Sequence, residues 1–252
     1  MGFLVILSLL HFLYPSGAPV LLAACATPKA YVTQTQIIAT QIIQQSHHIL
    51  HWKTPINHQP TPLTLYDYAS QHNGGIVLGS LTSFHAYNSW VNRLLGRTRS
   101  AYAALEDDLQ EGACWRLPER HGQIAVAFRD VVHVTHVMVN HIQAGLTNAT
   151  ENAPRKLLLW GMVNGEDNLV KYHFLCNSAT GTLHELFIAH MAPALSRGMS
   201  FIPLLSFDYD IHATNHTQLF PIHDSMMAVN MDFGVVVLEI LGNWGGELTC
   251  LY

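Results

Sequence analysis

The sequence predicts an all-β fold, an antiparallel sandwich or jelly roll, with a short helix on its N-terminal side. Three observations carry this. GQIAVAF (122–128), VVHVTHVMV (131–139), LLLWGM (157–162) and VVVLEIL (235–241) are short, rich in β-branched or apolar residues and bounded by turns. No long helical period separates them, so the strands must pair antiparallel rather than through βαβ crossovers. Hydrophobic residues make up 49% of the 252, enough to close a core between two layers.

The chain divides into three parts. Residues 1–26 form a hydrophobic leader, a signal peptide or membrane anchor. The 25 residues from Gly2 to Ala26 hold no charged side chain, and Ala24-Cys25-Ala26 offers small residues for a signal peptidase. LAAC (22–25) also resembles a lipoprotein cleavage box, and burial in a soluble core is the bland alternative. Residues 27–62 hold a short helix over 31–52, with Ile38, Ile42, Ile49 and Trp52 at coiled-coil spacing, then a linker marked by Pro55, Pro60 and Pro62. Residues 63–252 hold the β-domain. Its stretch 163–200 is less regular, with a helix expected around Leu183 to Ala194.

Charge removes one class of function. Lys and Arg number 12 against 17 Asp and Glu, a formal charge of −5, and the few basic residues are scattered. A duplex nucleic-acid binder needs a basic stripe, because phosphate neutralisation supplies most of its affinity. No nucleic-acid partner is expected.

Export is the compartment the leader implies. Asn148 and Asn215 each open an N-glycosylation tripeptide. Outside the leader stand Cys114, Cys176 and Cys250, an odd number, so at most one pair is expected among them. No CxxC spacing suggests a metal.

Seventeen histidines invite an enzymatic reading. His47 and His51 are one helical turn apart but lack the glutamate of a zinc protease. His133 and His136, three apart on one strand, would point to opposite faces and could not share a metal. No GxSxG or GxGxxG is present. Asp107-Asp108 and Glu166-Asp167 read as solvated turns. The expectation is a binding protein, with no catalytic residue and no metal site.

Specific text begins at GACW (112–115) and continues through HGQIAVAF (121–128), VTHVMVNHI (134–142) and NAP (152–154) with Lys156. It closes with VVLEILGNWGGELTCLY (236–252). LYDYAS (65–70), GGI (74–76) and FDYD (207–210) agree with it. Together these resemble the SUN domain, the lumenal C-terminal module of inner-nuclear-membrane proteins, in pieces over residues 63–252.

The resemblance implies a β-sandwich that forms trimers. It also implies a partner, the extreme C-terminus of a KASH protein of the outer nuclear membrane, the two making the LINC bridge between nucleus and cytoskeleton. The mode would be β-addition of an extended peptide with capture of its terminal carboxylate. Matching by position, His141 and Tyr252 fall on the carboxylate pocket, and Asn152 stands where a serine is usual. Cys114 and Cys250 fall on the family's intramolecular disulfide. Attachment would run through the N-terminal segment to the inner nuclear membrane, the domain lying in the perinuclear lumen. The runner-up is an exported jelly roll that binds glycan or another ligand in an aromatic groove near Trp90 or Trp160.

Departures from the family pattern set further expectations. LTSFHAY (81–87) lacks the cysteine that would lock a KASH peptide covalently. Asn88 to Leu109 falls where the family has its lid and a cation loop but matches neither closely, so no cofactor is expected beyond the potassium ion that the resemblance allows. Members continue beyond the tyrosine matched by Tyr252 into one more strand, and an open sheet edge is the expectation where it is lacking.

Overall fold

A computed structural model describes residues 65–83, 99–106, 108–142, 150–178 and 192–252. The leader, the helix over 31–52, the linker, Trp90 and Asn148 lie outside the described residues. So does residue 107, with most of the helix expected over 183–194; Ala192 to Ala194, its described end, is not helical.

Among the described residues nine strands follow in order: β1 (Ile76–Val77), β2 (Trp115–Leu117), β3 (Gly122–Val132), β4 (His136–Asn140), β5 (Pro154–Met162), β6 (Phe201–Asp208), β7 (Thr217–Pro221), β8 (Phe233–Asn243) and β9 (Thr249–Leu251). Five make one antiparallel sheet in the order β1-β3-β8-β5-β6, and two ribbons, β2-β9 and β4-β7, complete the strands. The architecture is all-β, antiparallel and jelly-roll-like, as the short turn-bounded runs require.

The centre of the sheet explains the unbroken apolar text of LLLWGM. Along β5, Leu157 and Leu159 face the main core, while Leu158 and Trp160 face a second cluster with Leu81, Ala125, Phe201 and Val237. Successive side chains point to opposite faces. A strand covered on both faces is therefore apolar throughout. Complete burial of each such leucine contributes about 2 kcal/mol. The main core lies between this sheet and the ribbons, which send in Trp115, Leu117, Val139 and Leu251.

On the other face Gln123 is fully buried, and its carboxamide joins two segments that lack strand pairing there. Its Nε2 donates to Leu81 O at 2.7 Å, and its Oε1 accepts from Leu195 N at 2.9 Å. Trp160 Nε1 donates to Glu239 Oε2 at 2.8 Å on the same side. Trp160 has no exposed surface, so the expected aromatic groove does not form around it.

Three local expectations are corrected. The run 131–139 is not one strand: pairing with β8 ends at Val132 after a register shift, and a new strand begins at His136 to pair with β7. His133 and His136 therefore belong to different pieces of chain. His133 Nδ1 meets Met231 O at 3.1 Å and the Asp232 carboxylate at 3.4 Å, whereas His136 Nδ1 meets Thr135 Oγ1 at 3.0 Å.

Glu166-Asp167 is not a turn either, but opens a helix, α1 (Glu166–Ser178). Gly165, at φ 84°, starts it by accepting from Leu169 N, and Asn164 Oδ1 accepts from Gly165 N. The two carboxylates in the first turn then complement the helix dipole. Acidic pairs read as solvated turns are equally good helix openers. A second helix, α2 (Asp224–Met227), is a single turn. Among the described residues no helix is long and apolar enough to cross a membrane.

Candidate functional site

The site is built where two ribbons end. β4 terminates at Asn140, and the chain runs directly into His141 and Ile142, both buried. β9 terminates at Leu251, followed by Tyr252. Pairing of β2 with β9 sets Arg116 opposite Cys250, and a disulfide joins Cys114 to Cys250 with Cα atoms 5.5 Å apart. That bridge closes 136 residues of sequence separation, for which chain entropy gives about 5 kcal/mol. Ala113, Cys114, Ile142, Cys250 and Tyr252 form one apolar cluster around it. The bridge thereby anchors the strand that delivers Tyr252.

His141 packs edge-on against Tyr252, with ring centroids 5.1 Å apart, and at a tilt against Tyr209 at 6.2 Å. Its Nδ1 lies 3.2 Å from Ile142 O. Paired with a carbonyl, Nδ1 carries the proton, so Nε2 presents a lone pair. That Nε2 is buried and has no hydrogen-bond partner, and neither has Asn140 Oδ1 on the preceding residue. Buried polar atoms without partners are rare and costly. Each marks a position where a donor is missing.

Burial holds the His141 pKa below the ordinary histidine value; the Ile142 carbonyl works against this, and the nearby His216 adds to it. Burial likewise raises the Tyr252 phenol, while the Gly112 backbone and Arg116 pull it down and Glu111 and Asp108 push it up. Tyr209 is pushed up to about 12 by burial and by Asp210. Its hydroxyl donates to His216 O at 2.8 Å, and its backbone N donates to Arg155 O at 2.8 Å. Tyr209 O accepts from Trp244 Nε1 at 3.0 Å, and the Arg155 guanidinium lies over that indole. Tyr209 is thus fixed as the back wall of the site.

A cleft of about 330 Å³ reaches Tyr252 from the β4 side, lined among others by Tyr66, Tyr68, Phe128, Met138, Asn140 and Leu219. β4 pairs with β7 along one edge, and no strand of the described residues covers its other edge. Met138 and Leu219 sit directly opposite each other, 48% and 47% exposed.

The remaining expected residues fall elsewhere. Asn152 ends a 3₁₀ turn and is half-buried, with its carboxamide against Gly246 of the β8–β9 connection. Asn215 is exposed, as an acceptor for glycan must be, with its Oδ1 accepting from Thr217 N. Cys176 is disulfide-bonded as well. Part of the stretch expected to carry a cation loop is described, and its carboxylates are engaged: Arg99 Nη1 lies 3.1 Å from Asp108 and 3.7 Å from Glu106. An arginine between them already supplies the positive charge, a poor fit for potassium at those side chains. Among the described residues no group of three or more His, Cys, Asp or Glu could hold a metal.

Sequence reasoning missed Tyr209, Asn140 and the Gly112–Arg116 side of the pocket. Tyr209 lay within the FDYD element, which was matched without a role. The partnerless oxygen of Asn140 left no trace in the text.

A family model for the Sad1 / UNC-like C-terminal region matches residues 96–181, a span that includes Cys114, His141 and Asn152. The Sun domain-containing protein 1 of Dictyostelium discoideum is 20% identical over 161 residues, 59% of this chain. The chain spans only 14% of that relative's length. Among solved structures, a family 32 carbohydrate-binding module of Streptococcus pneumoniae EndoD has a TM-score of 0.43 at 8% identity, covering 71% of this chain and 90% of its own. A Clostridium perfringens module solved with GalNAc-β-1,3-galactose has a TM-score of 0.38 at 9% identity, covering 62% and 81%. The two sequence matches agree with the motif pattern, and they support a divergent SUN-domain member.

Proposed function

We propose that this chain is a lumenal binding module that holds the C-terminal peptide of a KASH protein and so tethers the nuclear envelope to the cytoskeleton. The observation that carries the reading is the buried His141–Tyr252 pair, whose tyrosine lines an apolar cleft. A peptide terminus needs donors for its carboxylate and a dry wall for its side chains. Tyr252 supplies a phenol O–H for the first, and the His141 ring a second N–H once Nε2 is protonated. Met138, Leu219, Tyr66 and Tyr68 supply the second. The uncovered edge of β4 offers backbone groups to an extended guest, which would add as a further strand.

Trimerisation, N-glycosylation at Asn215 and attachment to the inner nuclear membrane through the N-terminal segment belong to the same proposal. They rest on the family rather than on this site.

The test is a pull-down of the full chain with a synthetic KASH C-terminal peptide, beside the same peptide amidated at its terminus. Retention of the free acid and loss of the amide is the expected result. Folded protein that retains neither overturns the reading and favours another ligand, glycan among them.

A further inference from the structure

We infer that carboxylate capture at the His141–Tyr252 pair is coupled to the uptake of one proton, so that the peptide is held more tightly as the lumen acidifies. The inference rests on the binding reading above and adds its regulation.

The argument starts from a lone pair. With Nδ1 spent on Ile142 O, His141 offers Nε2 as an acceptor, and Nε2 has no partner. A carboxylate is also acceptor-only. Two lone pairs cannot share one proton that neither carries. The guest therefore enters with a proton that comes to rest on Nε2, turning the ring into an imidazolium that donates at both nitrogens. The balance is simple: neutral histidine, carboxylate and one proton from solvent give an ion pair, with no bond broken elsewhere.

The surroundings fix the direction of the effect. Facing His141 are Tyr252 after β9, Tyr209 after β6, and His216 in the β6–β7 connection. Beyond Tyr252 lie Arg116, Glu111 and Asp108. Both tyrosines have raised pKa values and stay neutral near neutrality. His216, as a like charge, opposes protonation of His141. Burial keeps the empty site's histidine neutral, and an arriving carboxylate reverses that preference. Between the empty-site and occupied-site pKa values, affinity falls about tenfold for each unit that pH rises. Below the empty-site value it levels off.

Isothermal titration of the full chain with the synthetic KASH peptide, from about pH 5.5 to about pH 8 in buffers of different ionisation enthalpy, reads both quantities. Expected are a dissociation constant that rises with pH and uptake approaching one proton per peptide at the upper end. His141→Gln, which donates without titrating, should flatten the profile. His216→Gln should move its midpoint upward, a second readout if the first variant folds poorly. A free-acid peptide that binds with no proton uptake and a flat profile overturns the coupling while leaving the binding reading intact. Equal binding of acid and amide at every pH overturns both.

Discussion

His141 and Tyr252 meet edge to face, 5.1 Å between ring centroids, although they lie far apart in the sequence. Two ribbons must be placed together for this, and each delivers its residue immediately after its last strand position. If the pair holds a peptide carboxylate, deleting the nitrogens while keeping the volume should cost affinity and not folding. His141→Leu is expected to weaken KASH-peptide binding at least about tenfold, about 1.4 kcal/mol. Unchanged affinity by titration calorimetry, with an unchanged melting profile, removes His141 from the site.

Cys114 and Cys250 control the placement of Tyr252. Cys114→Ser should lower stability by about 2–5 kcal/mol, a fall in Tm of roughly 5–15 °C for a domain of this size. Cys250→Ser should do the same, and the double variant should be no worse than either, because both remove one bond. Additive losses in thermal unfolding contradict a bridge, as does a Tm indifferent to reductant.

The apolar cleft wall offers a cleaner separation of binding from stability. Met138 and Leu219 face each other across the β4–β7 ribbon and are about half exposed, so neither carries much of the core. Leu219→Asp is expected to leave Tm within a few degrees and to reduce peptide retention several-fold, since the carboxylate must be desolvated under a bound guest. A variant that melts normally and binds normally places the peptide elsewhere.

Three strands of the central sheet, β3, β5 and β8, were legible in the text because each is a self-contained signal, whereas β1 and β6 were not read. LLLWGM is apolar at every position because β5 is covered on both faces, and the reason is local to the strand. The break between Val132 and His136 was not legible. VVHVTHVMV reads as one strand, and only the competition between β8 and β7 for its two halves divides it. The same limit applies to the site. His141, Tyr252, Cys114 and Cys250 could be matched one by one to a family pattern. Tyr209 as back wall, and the missing partners at Asn140 and His141, exist only once distant segments are packed. Helix α1 went unread because its amphipathic stripe is weak and its acidic start also suits a turn.

Gly161 tests the packing of the core beneath the site. A Cβ there would run into the ring of Phe233, which is itself buried. Gly161→Ala should therefore destabilise by about 1–3 kcal/mol through overpacking. Phe233→Leu alone should also cost stability, but pairing the two should recover part of the loss. Simple additivity in denaturant unfolding denies the contact.

Stability should also carry a signature of the buried histidine. In the unfolded chain His141 titrates near pH 6.5, and in the fold burial holds its pKa lower. Between those two values the unfolded state binds more protons, so stability rises with pH. The contribution is fully present above the unfolded pKa and is lost as pH falls through the lowered folded value. Denaturant midpoints measured from about pH 7.5 down to about pH 5 should therefore decline, and His141→Gln should remove part of that slope. His216 repels a charged His141, so His216→Gln should also flatten the decline. Were His141→Gln to leave the slope unaltered, the acid sensitivity would belong to other histidines and His141 would be protonated as readily inside the fold as outside it.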